Sequence, residues 1–276
     1  MDWLGVVPFL GYATLFLIVP AGAVLFGAVR DGHGGVTLTY VNEIFQAQYL
    51  NAFRTSIELS IVTALGGVVL GGLLAYAAVQ EGTPHVVRAF VTSFSGVAAN
   101  FAGVPLAFAF IATLGTVGVV TRWLADLGLN PWDHGFTLFD FWGLAITYLY
   151  FQIPLMLLVI APALDGLRRE WREAAESLGA STSQYWLRVA LPVLAPSFLG
   201  AFLLLFGNAF SAYATAYALT GGMVNLVPTL IGAFITGNVF TDPHLGKALA
   251  LGMVVVMTVT VLAYGLLNRR ASRWTR

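Results

Sequence analysis

Six apolar runs alternate with polar stretches along the chain, over residues 3–29, 56–79, 90–120, 138–164, 191–219 and 248–267. A helix needs roughly 20 apolar residues to cross the hydrocarbon core of a bilayer. Each run meets that length and predicts a membrane helix. The runs are too long and continuous for the alternating strands of a barrel. The first run competes with a cleaved signal peptide, because Ala21-Gly22-Ala23 are small. Asp2 precedes it with no basic residue, and it exceeds an h-region, so a retained span is expected.

Features inside the runs sharpen this picture. Thr63, Gly67, Gly71 and Ala75 fall four apart and leave one face of the second span almost without bulk. Such a face lets helices approach closely. Arg54 and Glu58, also four apart near one end, read as an interfacial ion pair or a gate contact. The 90–120 run is longer than a straight span requires and holds Gly96, Asn100, Gly103 and Pro105, which predicts a broken or tilted helix. In the fourth run Pro154 frees the carbonyl of Tyr150 near Gln152. The fifth contains Gly207, Asn208 and Ser211. Residues 220–246 are Gly-rich, with Pro228, Gly232, Gly237 and Pro243, yet apolar enough in part for a re-entrant or surface helix.

The polar segment between the fourth and fifth runs has its own period. Leu167, Trp171, Ala174 and Leu178 form an apolar stripe at helical spacing, against Arg169, Arg172, Glu173 and Glu176. Gly179 stands where a left-handed residue would end that helix. Ser181 with Gln184 reads as the cap of a second helix. Pro192 is expected to stop or bend it. Taken alone, the pattern fits an amphipathic helix lying on a membrane surface.

Composition agrees with the apolar pattern. Of 276 residues 58% are hydrophobic and 9% charged, against about 25% charged in soluble domains. A single all-α membrane domain, 1–276, is expected. The formal net charge of zero argues against a nucleic-acid partner. No cysteine is present, and His33, His85, His134 and His244 make no short-spaced pair, so no metal site is expected and these read as solvated loop residues. Trp123 and Trp132 are plausible interface anchors.

Basic residues set orientation. With six spans, one side holds Arg88, Arg168, Arg169, Arg172, Arg188, Arg269, Arg270, Arg273 and Arg276, nine in all, and the other holds Arg30, Arg54, Arg122 and Lys247. The nine-residue side, with both termini, is expected to be cytoplasmic. No phosphate-binding Gly-x-x-x-x-Gly-Lys-Ser/Thr loop or nucleophile elbow occurs, so enzymatic activity and ATP hydrolysis by the chain itself are not expected. A secondary transporter usually carries ionisable groups inside its spans, and these spans hold essentially none. That class, or a channel-like subunit without an ATPase partner, is the alternative.

The segment Glu173-Ala174-Ala175, Gly179 and Val189-Ala190-Leu191-Pro192 resembles the EAA loop of bacterial ABC importer permeases. The Leu219-Thr220-Gly221-Gly222 turn and the overall size look most like the spermidine/putrescine-type group. The resemblance implies the type I ABC importer permease fold in the bacterial cytoplasmic (inner) membrane. It further implies separate ABC ATPase subunits that bind the ATP, a second permease subunit, identical or homologous, and an external solute-binding protein. The chain itself would need no cofactor. Residues 1–50 would form a first span with its external loop, and 51–276 the core, with a cytoplasmic coupling loop at 165–190. Glu173, Ala174, Ala175 and Gly179, with Leu178 and Trp171, would then meet the ATPase. Asn100, Gln152, Asn208 and Ser211, polar groups beside Gly or Pro breaks, are candidates for the solute pathway. For each, an interhelical hydrogen bond is the structural alternative.

Overall fold

The computed structural model describes residues 3–30, 35–80, 82–236 and 242–271, and the side chains of 6–266 within those ranges. The tail arginines Arg269, Arg270, Arg273 and Arg276, with His33 and Gly237, lie outside the described residues or side chains. Among the described residues the fold is helical, and its only extended pairing is a bridge between Arg30 and Val36. Among the described residues, six helical stretches have the length and composition to cross a membrane: Val6–Gly27, Ala47–Val79, Val104–Asp126, Phe141–Asp165, Thr182–Phe210 and Pro243–Leu266. Large apolar side chains such as Leu65, Leu73, Leu204 and Leu262 are exposed along them, as expected where the surroundings are lipid.

The second and fifth spans depart from the sequence expectation in their boundaries. The second helix begins at Ala47 rather than 56, so Arg54 and Glu58 lie inside it. The 90–120 run is broken, as its glycines and proline predict: His85–Asn100 and Val104–Leu114 are separate helices with Gly103 at φ +76° between them, and the end of the run enters a further helix, Val119–Asp126. The fifth helix begins at Thr182, runs through Pro192 and ends at Phe210; a separate helix, Ala214–Thr220, follows.

Pro192 does not stop the helix, and the turn before it is widened. Trp186–Ala190 is π-helical, and the Leu191 amide donates to the Trp186 carbonyl five residues back. A proline ring clashes with the carbonyl four residues earlier and removes one amide donor. A wider turn accommodates both changes. The first span repeats the device: Thr14–Ile18 is π-helical and Pro20 follows it by two residues.

The chain divides into two compact units. In the unit formed by residues 1–56 and 225–258, the Gly-rich stretch contains the helix Val227–Thr236. The Val227 amide donates to Ser56 Oγ at 2.9 Å, and Asn225 Nδ2 donates to the Gln48 carbonyl at 3.1 Å. His244 departs from the solvated-loop expectation. It is half-buried and stacks on Tyr40 with ring centroids 5.1 Å apart.

In the unit formed by residues 57–224 and 259–276, Phe141–Asp165 is central. Asp140 caps it by accepting from the Gly143 amide at 2.8 Å. Leu144, Tyr148, Met156, Leu157 and Ile160 are fully buried. The small-residue face of the second helix lies against it, with Thr63, Gly67, Gly71 and Ala75 all buried. A Cβ on Gly71 would stand 2.6 Å from both the Ile153 carbonyl oxygen and Met156 Cβ. The backbones thus meet with no room for a side chain.

Candidate functional site

The segment after Asp165 folds as two short helices. Arg169–Ser177 is the first. It ends in a Schellman turn: the Ala180 amide donates to the Ala175 carbonyl at 3.0 Å, and the Gly179 amide donates to Glu176 at 2.9 Å. Gly179 is at φ +78°. The second helix opens with a capping box, in which Ser181 Oγ accepts from the Gln184 amide at 3.3 Å and Gln184 Oε1 accepts from the Ser181 amide at 2.8 Å. Both ends therefore follow from residues read in the sequence.

This segment turns much of its apolar stripe outward. Leu178 is 88% exposed and Trp171 37%. Ala174 is exposed, while Leu167 and Ala175 are half-buried. The polar face is partly self-paired: Arg172 donates to Glu176 at 2.9 Å, and the Arg168 guanidinium lies 5.9 Å from the Trp171 ring centroid. The exposed Glu173 side chain sits beside small Ala174 and Ala175. A helix of this kind offers a close backbone approach, an apolar ridge and the flanking carboxylates of Glu170 and Glu173 to another surface.

The second site is a cavity of about 260 Å³ lined by Asn208, Ser211, Phe151, Gly103, Tyr213 and Thr215, among others. It lies where two helices are interrupted. The Gly103 amide, free of helical bonding, donates to Thr215 Oγ1 at 2.7 Å. Tyr148 OH donates to the Ala212 carbonyl at 2.9 Å. Non-helical backbone at membrane depth persists where protein or a wet cavity satisfies it, and both interruptions are held in that way.

Three of the four candidate pathway residues come together here. Gln152 is fully buried and Nε2 donates to the Leu205 carbonyl at 2.8 Å. Its Oε1 lies 3.5 Å from Asn208 Nδ2. Ser211 lines the cavity and donates back to the Gly207 carbonyl at 2.8 Å. Asn100 stands apart: it donates to Gly96 within its own helix, and only its neighbours Ala99 and Ala102 reach the lining. Gln152 thus makes an interhelical hydrogen bond, whereas Asn208 and Ser211 border open space. Tyr148 and Thr215 were missed in the sequence because an apolar run disguises a single hydroxyl. Their partners also lie 64 and 112 residues away.

The geometry leads to an accessibility prediction. The chain has no cysteine. Cysteine at 208 or 211 should react with a small polar thiol reagent, and cysteine at 152 should stay inert until the fold opens. Equal labelling at all three positions would contradict the cavity assignment.

The chain matches the family described as binding-protein-dependent transport system inner membrane component over residues 59–273. It belongs to that family. It is a permease subunit of an ABC importer, a multi-pass protein of the bacterial inner membrane, and permeases of this kind are not themselves ATPases. The permease is 26% identical to the sulfate transport system permease protein CysW of Synechocystis over 91% of this chain and 87% of that one. It is 28% identical to the spermidine/putrescine transport system permease protein PotB of Haemophilus influenzae over 58% and 55%. Likeness at this level is spread over relatives named for different solutes. The fold is that of a bacterial ABC transporter involved in alginate import, with a TM-score of 0.75 at 20% identity, covering 98% of this chain and 96% of the other.

Proposed function

We propose that the permease forms one transport domain in which residues 165–190 dock into a separate ATPase subunit and pass its movement to the spans. The observation that carries this reading is the exposed, end-capped Arg169–Ser177 helix with Leu178 turned outward. In it, the ATPase binds and hydrolyses the ATP, and Trp171, Ala174, Ala175 and Leu178 occupy its surface groove. Glu173 meets a donor at the groove edge. Gly179 lets the chain turn out of the groove into the Ser181 cap. A second permease subunit completes the pathway, and an external binding protein delivers the solute, in keeping with the family's description.

The pathway in this reading passes the cavity bordered by Asn208 and Ser211. Hinged helix ends at 101–103 and 211–213 change its width as the spans rock between inward-open and outward-open states. The coupling segment and both termini face the cytoplasm, supported by the nine-to-four split of basic residues. A C-terminal reporter active only outside the cytoplasm should therefore stay silent. Strong activity from it would overturn the orientation and, with it, access of the ATPase to Glu173.

A further inference from the structure

Beside the coupling segment, within the unit that holds residues 57–224, two cavities adjoin. The first, about 810 Å³, is lined by Arg168, Arg169 and Arg172, with Asp165 and Gln80. Asp165 is ion-paired with Arg88, and Arg172 with Glu176. Glu81, next in sequence to Gln80, lies outside the described residues. The second, about 540 Å³, is an apolar groove along Val69, Leu73, Leu191 and Phe198. Tyr76, Leu164, Thr182 and Trp186 belong to both linings. Tyr76 and Trp186 meet edge to face at that junction, with centroids 5.0 Å apart. Gly72 floors the groove, and a Cβ there would stand 3.2 Å from Phe198 Cε1.

We propose that these joined cavities hold one anionic phospholipid, its phosphate among Arg168, Arg169 and Arg172 and an acyl chain along the groove. The order of surfaces matches such a molecule end to end. Guanidinium groups suit phosphate oxygens, which they bind through paired donors. Aromatic rings with polar tips favour the level between headgroup and chain. The apolar groove opens among the exposed faces of Val69 and Leu73, where acyl chains are the surrounding solvent. Basic pockets beside membrane helices recognise anionic headgroups in the same way. Because Arg169 and Arg172 are on the coupling helix, the lipid would brace that helix against the ends of the second and fourth spans. The inference goes beyond the transport reading and does not require that an ATPase docks.

Native mass spectrometry of the purified full chain tests this with phosphatidylglycerol and phosphatidylcholine of matched chains. Wild type should retain phosphatidylglycerol preferentially. The Arg168→Gln, Arg169→Gln double variant should lose about tenfold or more of that preference, the scale of one or two charge-assisted hydrogen bonds. Leu73→Trp, which fills the groove from its exposed side, should weaken retention of both lipids, and Arg122→Gln should change nothing. Equal retention of the two lipids by wild type, or an undiminished preference in the double variant, would overturn the proposal. Displacement of the lipid by millimolar inorganic phosphate would make this a free-anion site and overturn it too. So would a photo-crosslinker at position 73 that captures protein rather than lipid in native membranes. No ATPase is present in the binding measurement, so failure of the coupling assignment leaves its result unchanged.

Discussion

Gly179→Val should insert normally and lose ATP-driven uptake. The residue's φ of +78° lies in the left-handed region, and an added Cβ would meet nothing within 4 Å. The penalty is therefore conformational, not steric crowding by neighbours. A non-glycine residue there costs about 1–2 kcal/mol, and β-branched valine sits at the unfavourable end. The Schellman turn relaxes, the Ala180 amide leaves the Ala175 carbonyl, and the Ser181 cap moves relative to Leu178. Gly179→Asn should keep most of the uptake, since asparagine tolerates this region. Glu173→Lys should fail by a different route, reversing the charge at the groove edge. Loss of a charged hydrogen bond of about 1.5–3 kcal/mol weakens docking roughly tenfold or more. Uptake and ATPase co-purification, measured together, separate failed assembly from failed transmission. Normal uptake by both Gly179→Val and Glu173→Lys would leave 165–190 as an amphipathic surface segment only.

Gly71→Leu should abolish the folded permease. At that position a Cβ alone would stand 2.6 Å from the Ile153 carbonyl oxygen. A backbone atom cannot rotate away as a side-chain tip does, so the second and fourth helices must separate. Overpacking of a tight core costs about 1–3 kcal/mol or more, and here the whole small-residue face from Thr63 to Ala75 would lose contact. Gly71→Ala should lower the melting temperature in detergent, and Gly71→Leu should yield no monodisperse protein. Gly96→Ala is the matched control, because nothing lies within 4 Å of its added Cβ. A Gly71→Leu protein that melts like wild type would refute the close packing of these two helices.

Hydrophobic period and length made the six spans legible, and turn chemistry made both ends of the coupling helix legible. Gly179, Ser181 and Gln184 act through bonds to residues three to five positions away, which a linear reading can see. Helix starts were less visible where polar residues ride on a helix: Gln48, Asn51 and Arg54 disguise the true start at Ala47. Pro192 read as a stop or a bend because its clash is local, while the widened turn Trp186–Ala190 before it has no residue signature of its own. The break at Gly103 could be read from glycine and proline. Its hydrogen bond to Thr215 could not, since it joins distant segments. Gln152 and Asn208 looked alike as polar groups in apolar runs, and only packing separates the buried brace from the cavity wall.

In the proposed reading the Arg169–Ser177 segment meets an ATPase. A photoreactive benzoylphenylalanine at position 178, which is 88% exposed, tests it in native membranes. Irradiation should give one dominant adduct with an ATP-hydrolysing subunit, with the adduct depleted when Gly179→Val is added. Adducts with lipid alone would contradict the account.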